Sequence, residues 1–376
     1  MSAEHPAVMG WGTYNVDRHP RVGILFDGLE AHGFSVRHVT EPSAQSTSDR
    51  VELVRKPWRI VGLALSLLGT WARLARRGRA IRKAERPDCI VVGYLGHADV
   101  IAARLAFPRS VIVLDHLVFA LDTARDRGIG SGPIRLALRA LDRLALACAS
   151  IIVVDTEEHA RMVPRRRQRD TVVAAVGAPR QWYDAAATRT PRADGGPLSV
   201  VFFALFTPLQ GAPVIAAALA ELHRRGVPIS ATFEGTGQDA EEARRALGEA
   251  PIEWNERLGF SGLPEVVASH DVCLGIFGTS EKALNVAPNK LFQGAAAGCC
   301  IVTSDTEPQR RALGDAGVYV PAGDPLALAD ALERLARDPE AVRDASTAAH
   351  RRALDAFSPT VVAADLAAAI IARAKP

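Results

Sequence analysis

The sequence predicts an α/β protein built from two Rossmann-like, doubly wound parallel-sheet domains that face a central cleft. Short β-branched apolar runs alternate with longer stretches of helical period almost throughout, the pattern of parallel sheets covered by helices. The 376 residues, 48% of them hydrophobic, exceed what one core usually holds and suffice for two. A single stretch, Thr188 to Pro197 (TRTPRADGGP), is polar, aperiodic and rich in Pro and Gly, as an interdomain linker is.

In the first half, strands are expected at Ala7–Met9, Phe34–Val39, Asp88–Gly93, Ser110–Asp115, Ser150–Val154 and Thr171–Ala174. Helices fill the gaps, among them Arg21–His32 and Pro133–Ala147. The alternation restarts after the linker with strands at Leu198–Ala204, Ile229–Glu234, Asp271–Ile276, Cys300–Thr303 and Val318–Val320. Helices are expected at Gly211–Arg225, Asn289–Ala297 and Asp324–Arg337, the last opened by Asp324 as N-cap with Pro325 in the first turn. Ser358 and Pro359 repeat that device ahead of a final Ala-rich helix to about Arg373.

The net charge of +3 is unevenly spread: residues 1–190 hold 28 Lys/Arg against 19 Asp/Glu, and 191–376 hold 17 against 23. Ten of the cations lie between Arg55 and Arg86 around an apolar centre with Trp58 and Trp71. That stretch fits either a surface helix with one face in the core or an interfacial helix on an anionic membrane. No nucleic-acid motif accompanies the charge, so nucleic acid is not an expected partner. The five cysteines show no zinc or disulfide spacing, and no signal pattern or apolar run of spanning length appears. A cytoplasmic location is the expectation, with peripheral attachment to the inner membrane face as the alternative.

Ligands of open parallel sheets lie beyond the carboxyl ends of the strands, where helix N-termini offer free N–H groups. Gly278 to Gly298 (GTSEKALNVAPNKLFQGAAAG) places such a helix start at Pro288. Asn289 and Lys290 could add donors to a diphosphate there, and Gln293, one turn on, could bind ribose hydroxyls. The same stretch would also serve as an ordinary helix packed by its alanines. Gly235, in Glu234-Gly-Thr-Gly237, allows close approach of a base or ribose and equally a plain turn. Gly10 and Gly12, expected just past the first strand, could shape the cleft floor or a turn. His116 and His97 follow strands, where a histidine can hold a sugar hydroxyl.

No phosphate loop, no nucleophile elbow and no Asp-x-Asp pair is present. The glycines of Gly128-Ile-Gly-Ser-Gly132 follow charged residues and not a strand, so they read as a loop.

These residues resemble glycosyltransferase family 4, the retaining GT-B group, over nearly the whole chain. The strongest match is Ala287-Pro-Asn-Lys-Leu-Phe-Gln-Gly-Ala-Ala-Ala-Gly298 leading into Cys300-Ile-Val-Thr-Ser-Asp305. Phe203–Gly211, Glu234–Gly237 and Val153–Ala160 support it.

The resemblance implies an enzyme of the hexosyltransferase class that moves a sugar from a nucleotide sugar to a hydroxyl acceptor, with no metal or other cofactor required. Donor would bind to 198–357 and acceptor to 1–187, with 358–376 crossing back to the first domain. It puts Asn285 and Gln293 where the family carries two glutamates and His116 beside the transferred sugar. Glu281 lies near enough to stand in for the first glutamate, and Lys282 or Lys290 for the cations that Leu205 and Gln210 replace. A sugar-nucleotide epimerase or hydrolase on the same architecture, and a non-catalytic partner subunit, remain as alternatives.

Overall fold

The computed structural model describes residues 6–14, 19–41, 69–78, 80–81, 87–93, 95–117, 119–126, 132–189, 196–256 and 262–374. Most of the basic stretch 55–86, the loop 127–131 and the middle of the expected linker, 190–195, lie outside them. The chain divides into two compact units, Met1–Ala174 with Val362–Pro376, and Ala175–Val361.

The first half runs β1 (Val8–Gly12), α1 (Pro20–Ala31), β2 (Val36–Thr40), β3 (Cys89–Val92), α2 (His97–Ala106), β4 (Val111–Asp115), α3 (Ala120–Asp126), α4 (Pro133–Cys148), β5 (Ile151–Val154), α5 (Glu157–Met162) and β6 (Thr171–Val173). The second runs α6 (Arg180–Ala186), β7 (Leu198–Phe203), α7 (Ala212–Arg224), β8 (Ile229–Glu234), α8 (Ala240–Leu247), β9 (Glu253–Asn255), α9 (Leu263–Ala268), β10 (Val272–Leu274), α10 (Glu281–Leu284), α11 (Asn289–Ala296) and β11 (Cys300–Ser304). It ends with α12 (Glu307–Leu313), β12 (Gly317–Val320), α13 (Pro325–Arg337), α14 (Pro339–Ala356), α15 (Pro359–Val362) and α16 (Ala364–Ala374).

Each unit holds one six-stranded sheet, ordered β2-β1-β3-β4-β5-β6 in the first and β12-β11-β10-β7-β8-β9 in the second. The ladders within them are parallel, as between β1 and β3 or β7 and β10. Their central strands read as unbroken apolar runs because both faces are covered: Ile151–Val154 and Cys89–Val92 are buried at every position. The first core gathers Met9, Trp11, Ile90, Leu114 and Phe107, with Trp11 and Phe107 edge to face at 5.3 Å. Phe202, Phe206, Phe233, Leu274 and Leu332 anchor the second.

Several expectations need correction. Gly10 and Gly12 are not past the first strand but inside it, since β1 continues to Gly12 and pairs on both sides. A Cβ on Gly10 would meet Tyr14 Oη at 2.6 Å and Phe26 at 2.8 Å, so that glycine makes room for packing. The unit boundary falls at Ala174 and not at 188–197, because α6 packs on the second core, where Trp182 stacks on Phe203 at 5.7 Å. Strand β9, short and polar, carries no apolar run to announce it. The final helix is broken at Ala363; its outer part, α16, ties to the first unit through Arg373 and Asp170.

Asp324 caps α13, its Oδ1 accepting from Leu326 N and Ala327 N at 3.0 Å each, as the Asp-Pro pair predicts.

Candidate active site

In both sheets the winding reverses at one place, between β1 and β3 in the first unit and between β7 and β10 in the second. The carboxyl ends of the strands at such a reversal point are the usual ligand position in open parallel sheets.

In the second unit the loops after β7 and β10 meet at that point. Phe277 N donates to Gln210 O at 3.1 Å. A Cβ on Gly278 would lie 2.2 Å from Pro208 O, and one on Gly211 (φ +69°) 2.6 Å from Gly278 N, so glycine is what lets these chains touch. Beyond them Pro288 begins α11 with no side-chain cap, which leaves its first N–H groups available to an anion.

Lys290 lies in that first turn yet is only 4% exposed. Its Nζ donates to Gln210 Oε1 at 2.5 Å and sits 4.1 Å from the centre of the Phe202 ring. Burial pushes its pKa down to about 7. Gln293 is buried one turn on; Asn289 and Glu281 are exposed and Lys282 is half-buried. Ser280 caps the short α10, accepting from Ala283 N at 3.2 Å, and Asn285 Nδ2 donates to Glu281 O at 2.9 Å.

Gly235 (φ +128°) has a packing reason of its own: a Cβ there would sit 1.9 Å from Ala204 O. Leu205, just beyond, is exposed.

The first unit collects polar groups at the carboxyl ends of its strands. Thr13, after β1, gives its N–H and hydroxyl to Asp99 Oδ2 at 2.8 and 2.9 Å, and Trp71 Nε1 donates to Asp99 Oδ1. His97 Nε2 approaches Asp142 Oδ1 to 3.0 Å, and the rings of His97 and His116 are 5.0 Å apart. His116 is 2% exposed, and its Nε2 has no hydrogen-bond partner. Burial, and next the neighbouring His97, pull its pKa down to about 3, so it is a neutral imidazole across the physiological range.

His97, His116 and Asp142 each place a ligand atom within 4.8 Å of the others. A zinc ion with bonds of about 2.1 Å needs them roughly 3.4 Å apart; among the described residues this is where a metal could be held.

Sequence reasoning missed the partners. Arg21 Nε donates to Asp115 Oδ1 at 2.9 Å in a pair with both side chains almost fully buried. Burial raises the Asp115 carboxyl, and Arg21 opposes that rise. Neither this pair nor His97–Asp142 has a sequence spacing that signals it, since 94 and 45 residues separate the members.

Compared with known proteins, residues 215–368 match the family described as "Glycosyl transferase-like". Among solved structures nearly the whole chain superposes on GT-B-type enzymes. The sucrose-phosphate synthase of Thermosynechococcus elongatus matches with a TM-score of 0.67, 15% identity and coverage of 96% of this chain and 97% of that one. The UDP-forming trehalose-phosphate synthase of Burkholderia vietnamiensis gives 0.68, 13% identity and 98% of both chains. The fold is GT-B. The segment that matches the glycosyl transferase-like family runs from α7 in the second unit into α16 in the first. The Anabaena protein HepE, solved with UDP and glucose, gives 0.63, 16% identity and coverage of 97% of this chain and 99% of that one. A probable DNA ligase of Anaeromyxobacter dehalogenans is 33% identical over 209 residues, 48% of this chain; the chain spans 38% of that protein's length. The likeness to GT-B structures covers nearly all of this chain, and the ligase likeness less than half.

Proposed function

We propose that the chain transfers a sugar, with retention, from a nucleoside diphosphate sugar to a hydroxyl acceptor. The observation that carries this is the pairing of an uncapped helix start with a buried lysine at the reversal point of the second sheet. In a glycosyl transfer the bond from the anomeric carbon to the diphosphate breaks, and negative charge builds on the leaving phosphate. Free N–H groups at Asn289 and Lys290, with the Lys290 ammonium, would stabilise that charge, usually the largest contribution to catalysis.

Lys290 rests on the Gln210 carbonyl in a site that lowers its basicity. An arriving diphosphate would offer a stronger partner and draw a proton onto it. Gln293 would bind ribose, with Gly235 and Lys282 lining the nucleotide. Glu281, in the second unit, would orient the sugar hydroxyls, and His116, in the first, would hold an acceptor hydroxyl as a neutral group. The donor would bind to the second unit and the acceptor to the first. HepE was solved with UDP-glucose and the Burkholderia enzyme forms UDP, which favours a uridine nucleotide here.

A thermal-shift screen of UDP, GDP, dTDP and ADP with their sugars tests donor binding, followed by assay of nucleotide release with and without acceptors. Stabilisation by one nucleotide, and release that depends on an acceptor, is the expected result. Release independent of any acceptor would turn the reading to hydrolysis or epimerisation; no response to any nucleotide would end it.

A further inference from the structure

The face of α4 shows a second feature that donor chemistry does not use. Leu136 is 71% exposed and Leu144 50%, and with Ala140 they stand at i, i+4 and i+8 on the outer side of the helix. Arg135, Arg139 and Arg143 run alongside at the same spacing and are exposed. None of the three has a carboxylate partner among the described residues. The single acid of the helix, Asp142, is turned inward, accepting from Ala120 N at 2.9 Å and Leu121 N at 3.3 Å.

The apolar and cationic character extends past the helix. Leu105 at the end of α2 is 80% exposed, and Arg104 beside it bonds to Cys148 O at the end of α4. At the same end a pocket of about 460 Å³ is lined by Arg143, Leu146, Ala147, Pro164, Arg166 and Arg167. Exposed leucines flanked by unpaired arginines, with no acid between them, match a surface that is apolar inside and anionic at its rim. A nucleic acid would match the charge but not the leucines.

We propose that α4 and the pocket beside it dock on an anionic lipid surface, with headgroup phosphates on Arg143 and Arg166 and with Leu136 and Leu144 reaching below the headgroups. Its residues lie outside the sequence stretch 55–86, and the proposal stands whatever reaction the chain performs. It would bring the first unit to acceptors held at a membrane.

The test is flotation of the full chain with vesicles of phosphatidylcholine alone or mixed with phosphatidylglycerol, at low salt. The wild type should float with the mixed vesicles and not with the neutral ones. The triple variant R135Q/R139Q/R143Q should lose binding by roughly fivefold per arginine, on the order of a hundredfold together. Leu136→Ser with Leu144→Ser should weaken it at unchanged charge. Both variants change exposed positions, and an unaltered melting curve establishes that they fold. Failure of the wild type to float, or full binding by the folded triple variant, would overturn the proposal.

Discussion

Replacing Lys290 with methionine should strengthen the folded protein while weakening its hold on a nucleoside diphosphate. Burial lowers the ammonium's pKa from 10.5 to about 7. The unfolded chain therefore binds one more proton than the native one between those values, and native stability rises with pH across that window. The penalty is full below about pH 7 and fades toward the unfolded value. Working the linkage through gives a cost of about 4 kcal/mol at roughly pH 7 and about 2 kcal/mol at roughly pH 9. Methionine fills similar space without a charge, so K290M should be the more stable protein, with its advantage shrinking by about 2 kcal/mol over that range. Denaturant unfolding of both proteins at the two pH values measures this directly, other titrations cancelling in the difference. A pH-independent difference, or a less stable K290M, would refute the assignment of Lys290 as a buried, strained cation.

Three further outcomes are expected. Arg21→Met leaves Asp115 as an unpaired buried carboxylate and should cost about 3 to 5 kcal/mol in chemical denaturation. Gly235→Ala forces a Cβ toward Ala204 O at positive φ and should destabilise the second unit by on the order of 2 kcal/mol or more, read by the same method. With its pKa near 3, His116 should contribute no inflection to the pH–rate profile between roughly pH 5 and pH 8; His116→Ala should lower the rate without changing the profile's shape.

The fold was legible because its signals are local. Runs such as Ile151–Val154 and Cys89–Val92 declare buried parallel strands, and Asp324-Pro325 declares a helix start. Glycine misled at β1: Gly10 weakens strand propensity, yet Tyr14 and Phe26 leave no room for a side chain there. The helix start at Asn289 could be read in the same way. What the sequence could not reveal is which side chains face each other across the fold. Lys290 finds Gln210 80 residues away, and Arg21 finds Asp115 across 94. Such contacts depend on the strand order, which no spacing within the chain encodes. The resemblance named Gln210 as a position lacking its usual cation. The structure puts the Lys290 ammonium on that very side chain.

The most direct measurement is a crystal structure of the protein with a bound nucleoside diphosphate, UDP first. The account requires the pyrophosphate at the start of α11, accepting from the first-turn N–H groups, with Lys290 Nζ moved from Gln210 to a phosphate oxygen. A nucleotide seated elsewhere, or a Lys290 still bonded to Gln210 beneath an empty helix start, would contradict it.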